Sequence, residues 1–136
     1  MKDPLIAHAV KNAGSSKVSR MQTLEEHSRN VAQLCAALCR TVGLEKTGKL
    51  TGKVHDIGKG ACAVQKHIKQ GTKEKLNHSA AGMRWIWEHT TASDDSVRLT
   101  GQIVALAIGC HHSGRCDYIA PNGSRPWLER MCAENA

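Results

Sequence analysis

Apolar positions recur at helical spacing along most of the chain. Thr23 followed three residues later by Glu26 has the form of a capping box, which predicts a helix start near Thr23. His27, Val31, Leu34, Cys35 and Leu38 then mark one inward stripe, and Gly43 is a natural stop. A second helix is expected over about Glu45 to Ile57, with Leu50, Val54 and Ile57 on one face and Gly58 and Gly60 at its end. A third runs from about Ala61 to Lys69, carrying Val64 and Ile68, with Gly71 beyond it. A fourth starts with Asn77 as N-cap and reaches about Glu88, placing His78, Ala81, Gly82 and Trp85 together. A fifth covers about Val97 to His111 with Ile103, Leu106, Ala107 and Cys110. Before Thr23 lie a short apolar piece, Leu5 to Val10, and the polar Asn12–Lys17 loop. After the fifth helix come Gly114 and the turn signal Pro121-Asn122-Gly123. No period-two alternation stands out, so the fold class is all-α.

The composition supports this reading. Three Trp, one Tyr and no Phe leave a core of Leu, Ile, Val, Ala, Met and Cys, which suits packed helices better than a β-sandwich. A length of 136 residues allows one domain. It divides into an N-terminal segment (1–22), a helical core (23–112) and a C-terminal loop and end (113–136). The longest apolar stretch, about Ile103 to Cys110, is far short of the ~20 residues of a membrane helix. No signal-peptide pattern opens the chain, so a cytoplasmic protein without a membrane partner is expected.

Charge changes the picture. The net charge of +7 favours a polyanionic partner. From Glu45 to Lys75 eight lysines face three acids, which is either a solvated basic face or a nucleic-acid surface. The six cysteines read as reduced thiols and include no Cys-x-x-Cys pair. Cys110 and Cys116, flanking a His pair, leave a mixed Cys/His zinc site as an alternative.

The eight histidines carry the most chemistry. His27 falls on the inward stripe of the first helix, His55-Asp56 at the end of the second, His78 at the start of the fourth and His111-His112 at the end of the fifth. Imidazole is a common ligand for first-row divalent ions, and a carboxylate can bridge two of them. Tandem pairs at helix ends can serve two ions about 3.5–4 Å apart, which activate water near neutral pH and clamp a phosphodiester. Lys59 stands one turn from His55, placed to stabilise negative charge on phosphate. His8, His67 and His89 fit no such pattern and read as incidental.

The order His…His-Asp…His…His-His resembles the HD superfamily of metal-dependent phosphohydrolases. The surrounding motifs narrow the likeness: Ile6-Ala7-His8, then His27 with Val31-Ala32, Val54-His55-Asp56-Ile57-Gly58-Lys59, Asn77-His78-Ser79-Ala80-Ala81-Gly82, and Gly109-Cys110-His111-His112-Ser113-Gly114 with Asp117. Together they are similar to the HD nuclease domain of the CRISPR type I helicase-nuclease. The resemblance implies an HD-type bundle of five or more helices, in a shortened or fragmentary version. It implies His27, His55 and Asp56 as ligands of a first metal, and His78, His111 and His112 with bridging Asp56 as ligands of a second. Asp56 and Lys59 become the catalytic pair. The cofactor is one or two divalent transition-metal ions (Mn, Fe, Co or Ni, with Mg possible). The implied activity is hydrolysis of single-stranded DNA in antiviral defence, beside a helicase domain or subunit and a crRNA-guided surveillance complex. The family adds an Asp well downstream of the His pair. Asp117 lies too close to that pair to be it and is the last Asp of the sequence, so an incomplete first site is expected. Two other readings remain open: an HD phosphohydrolase acting on a nucleotide, and a degenerate HD module that binds nucleic acid or a protein.

Overall fold

The computed structural model describes residues 3–11, 18–70, 76–112, 114 and 117–132. The Asn12–Lys17 loop, the stop at Gly71, Cys116 and residues 133–136 lie outside them. Two strands, β1 (Ile6–Lys11) and β2 (Val18–Thr23), precede six helices: α1 (Leu24–Arg40), α2 (Glu45–Val54), α3 (Cys62–Gln70), α4 (Ser79–Thr90), α5 (Asp95–Cys110) and α6 (Pro126–Cys132). A 3-10 turn over Ile57–Gly60 joins α2 to α3. The helical class expected from the spacing holds, with a small hairpin added.

Thr23 caps α1 as expected: its Oγ1 accepts from the Glu26 amide at 3.1 Å. The inward face of α1 differs from the expected one. Ala32 and Ala36 are buried, whereas Leu34 and Leu38 are 60% and 65% exposed. The reason lies in α2. Gly48 and Gly52 present bare backbone to α1, and a Cβ at Gly52 would stand 2.7 Å from Val31 O and Ala32 Cα. Two helices seated this closely need small residues at the seam, so Ala displaces Leu from it. The close approach also brings His27 of α1 within reach of the residues that end α2.

The larger core gathers α4, α5 and α6. Met83, Ile86, Val104, Ala105 and Ile108 pack with Val54, Trp127 and Met131. The buried face of α5 therefore includes Gly101, Val104, Ala105 and Ile108, and Ile103, expected inward, is 62% exposed. Helix α6 corrects the expectation of a C-terminal loop: Trp127 and Met131, four apart, face the core together. The expected N-cap of α4 also moves by one residue, from Asn77 to His78.

The hairpin corrects the expectation of no strands. β1 and β2 run antiparallel, with Ile6 opposite Thr23 and His8 opposite Gln22, so Ala7 is an extra residue in β1. Buried Gln65 of α3 holds this strand as a second strand would. Its Nε2 donates to Ile6 O at 2.8 Å, and its Oε1 accepts from Ile6 N at 2.8 Å. Nε2 also donates to Lys59 O at 2.7 Å. One side chain thus ties β1, α3 and the 3-10 turn together, and removing it would leave several buried backbone groups without partners. None of the helices among the described residues is long and apolar enough to cross a membrane.

Candidate metal centre

Helix ends build the site. His55 is the C-cap of α2, with Asp56 next to it. His78 is the N-cap of α4, and His111 is the C-cap of α5, followed by His112. His27 comes from the first turn of α1. Two glycines let these ends meet. Gly58 lies so close to His78 O that a Cβ there would collide with that carbonyl. A Cβ on Gly82 would stand 2.8 Å from Val54 O and 2.9 Å from Ile108 Cγ2.

Asp56, 1% exposed, is the hub, and its two oxygens divide the histidines. Oδ2 lies 3.0 Å from His27 Nε2, 3.2 Å from His55 Nε2 and 2.8 Å from Lys59 Nζ. Oδ1 faces His78 Nε2 at 3.1 Å and His111 Nε2 at 3.4 Å. His112 Nε2 stands 2.9 Å from His78 Nε2, which places it on the Oδ1 side. The two ligand sets read from the sequence are thus brought together, one on each carboxylate oxygen.

The tautomers show what the cluster is for. A carbonyl only accepts, so a ring nitrogen that contacts one must carry the proton. His55 Nδ1 donates to Gly52 O at 2.8 Å and His111 Nδ1 to Ile108 O at 2.6 Å. Both carbonyls lie in the last turns of their helices, and Ile108 O also accepts from the His111 amide at 3.4 Å. His78 Nδ1 donates to Leu76 O at 3.2 Å. In the neutral rings Nε2 is then a bare lone pair, and all three point at Asp56. Asp56 Oδ1, fully buried, accordingly has no hydrogen-bond partner. Lone pairs that converge on a carboxylate repel one another unless a cation sits among them. Fixing the tautomer through the outer nitrogen is how proteins orient metal-binding imidazoles.

Where no ion sits among these rings, a proton on an imidazole facing Asp56, as on His55, takes the cation's part. Burial pushes the Asp56 carboxyl upward, but contacts with His111, His55, His78 and Lys59 outweigh it and hold the group far below the usual carboxylate range. Burial depresses His27, His8 and His112, so these rings remain in the neutral, ligand form near pH 7. His55 also loses from burial, yet its hydrogen bond and charge contact with Asp56 raise it overall.

Lys59, 6% exposed, turns inward onto Asp56 and does not project into solvent. His8 is the residue that the sequence reading passed over. Its ring centroid is 4.7 Å from that of His27, and its Nε2 is 3.5 Å from Lys59 Nζ. Asp56, His78, His111 and His112 form one group of converging ligand atoms, and His8, His27 and Asp56 form another. Among the described residues, neither group includes Asp117 or a cysteine. Cys110 is buried on α5. His89 stacks on Trp85, as an incidental residue would. Beside the cluster opens a cavity of about 480 Å³, walled by Val64, Ile68 and Leu76 and reached by His8, His67 and His112.

A bundle whose helix ends bring five imidazoles to one carboxylate defines a metal-dependent hydrolase centre of the His-Asp kind. Comparison with known families matches residues 24–131 to the HD domain, and the chain belongs to that family. Membership together with this cluster implies a metal-dependent phosphohydrolase. No solved structure matches the chain.

Proposed function

We propose that this chain hydrolyses phosphodiester bonds of single-stranded DNA, as the nuclease domain of a CRISPR type I system. The observation that carries the catalytic part is the division of Asp56 between two groups of imidazole nitrogens. His27, His55 and Asp56 Oδ2 would hold one divalent ion, and His78, His111, His112 and Asp56 Oδ1 a second. Bound ions supply Lewis acidity, which lowers the pKa of water and offsets charge on the phosphate.

The chain's own residues prepare that chemistry. The carbonyls of Gly52, Leu76 and Ile108 aim three imidazoles so that little reorganisation remains when the site is filled. Lys59 keeps Asp56 ionised, and it also lines the neighbouring cavity, where its charge favours a phosphate. His111 and His112 lie on the exposed side of the site, so a polymer can reach it without threading a closed chamber. Between α1 and α2 runs a groove of about 790 Å³ whose charged lining is Arg29, Lys49 and Lys53 with Glu25, the ion-pair partner of Arg29, and whose wall includes Ile57, next in the chain to Asp56. A basic groove beside the centre suits a nucleic-acid backbone.

The nucleotide reading requires a pocket that grips a base. The described lining of the 480 Å³ cavity has aliphatic and imidazole side chains and neither Trp nor Tyr, which favours the polymer. The motif likeness quoted above supports the CRISPR setting and, with it, a helicase and a crRNA-guided complex as partners.

The test is cleavage of end-labelled single-stranded DNA by the purified chain in EDTA, Mg²⁺, Mn²⁺, Co²⁺ or Ni²⁺, with a nucleoside triphosphate as a competing substrate. Cutting of DNA only in the presence of metal is expected. Release of phosphate from the nucleotide with intact DNA would instead support the nucleotide phosphohydrolase. DNA binding without turnover under every ion would support the binding module.

A further inference from the structure

We infer that His8, on strand β1, is a ligand of the Oδ2-side metal and brings that site to four protein ligands with His27, His55 and Asp56. The inference rests on the metal-centre reading above and extends it to a residue outside the helical core.

Three observations meet here. The first is position. The candidate ligand atoms of His8, His27 and Asp56 all lie within 4.8 Å of one another, and the two rings meet edge to face at 4.7 Å. The second is polarity. Lys59 Nζ, a donor only, faces His8 Nε2 at 3.5 Å, so this nitrogen carries a lone pair, which a metal ion would take over from the lysine. The third is the backbone that aims the ring. The extra residue at Ala7 makes a bulge next to His8, and Gln65 clamps the preceding Ile6 through both its amide and its carbonyl. Bulges re-aim a side chain, and here the strand is fixed by a buried amide two residues before the ring.

Ligand arithmetic points the same way. The Oδ1 side has three imidazoles and a carboxylate oxygen, whereas the Oδ2 side without His8 has two imidazoles and one oxygen. His8 makes the two sides equal. The competing role is narrower: His8 as a hydrogen-bond acceptor that steadies Lys59 and never touches metal.

His8→Gln separates the two, because an amide oxygen accepts from Lys59 but is a poor substitute for imidazole toward Co²⁺ or Mn²⁺. Metal-free wild type, His8→Gln and His8→Ala would each be dialysed against graded Co²⁺. Bound ions per chain and the visible Co²⁺ spectrum would be recorded, with circular dichroism confirming the fold. The expected result is two ions in wild type. In both variants one of these would weaken by more than about tenfold, since even outer-sphere partners of a ligand are worth 10–100-fold. The other ion's affinity would be unchanged. Loss in His8→Ala with wild-type binding in His8→Gln would assign the acceptor role and overturn the inference, as would wild-type binding in both. If His8→Ala fails to fold, His8→Gln decides alone. A wild-type chain that takes up no ion sinks the metal reading itself, so the two failures are distinguishable.

Discussion

Asp56→Ala is expected to abolish metal-dependent hydrolysis, with a loss well beyond about 100-fold. That bound comes from outer-sphere partners of metal ligands, whose removal alone costs about 10–100-fold. Asp56 is more central than any of these, because its two oxygens are the meeting point of both groups of imidazoles. The substitution has a second cost. Lys59 Nζ lies 2.8 Å from Asp56 and both side chains are buried, so its ammonium would lose its counter-ion. Breaking such a pair from one side typically costs about 3–5 kcal/mol. Asp56→Asn keeps the shape and removes the charge, and it should lose activity to a similar extent. Single-turnover cleavage and urea melts of both variants check this. Activity in Asp56→Asn close to wild type would mean that the carboxylate does not bridge anything.

Gly58→Ala is the second large effect, and it acts through the backbone. A Cβ at this position collides with His78 O, which is backbone and cannot rotate away. Either the 3-10 turn or the start of α4 must shift, and both carry ligands: Asp56 is two residues before Gly58, and His78 is the N-cap of α4. Overpacking of this kind costs about 1–3 kcal/mol, and the upper part of that range is expected where no side chain can yield. The corresponding drop in Tm is roughly 5–15 °C. Metal affinity should fall along with stability. A melt of Gly58→Ala matching wild type would show that the turn has slack the geometry does not suggest. Gly60→Ala is the control, since its nearest neighbour is Leu5 Cδ1 at 3.5 Å, an ordinary contact.

Much of this site was legible in the sequence because its ligands sit where helices begin and end. Capping signals and glycines mark those ends, and tandem pairs such as His111-His112 stand out without any knowledge of packing. The phase of α1 was less legible. Leu34 and Leu38 look like core in isolation, and only the Gly48/Gly52 face of α2 explains why Ala32 and Ala36 take their place. The hairpin hid itself for a related reason. The bulge at Ala7 buries Ile6 and Ala7 in succession, and Met21 in β2 is exposed, so no alternation survives to be read. With the strand went His8, whose proximity to His27 depends on a long-range clamp by Gln65. Helix α6 did carry a signal: Pro126 at the first helical position, followed by Trp127 and Met131 four apart, is how a short buried helix announces itself.

The central claim is that the histidines around Asp56 form a two-ion site. The most direct measurement is the number of Mn²⁺ or Co²⁺ ions bound per chain at equilibrium, by dialysis of metal-free protein followed by elemental analysis. Two ions per wild-type chain, falling to none at the same free-metal concentration in Asp56→Asn, is the predicted result. Zero ions in a folded wild-type chain, or binding that Asp56→Asn leaves unchanged, would contradict the account.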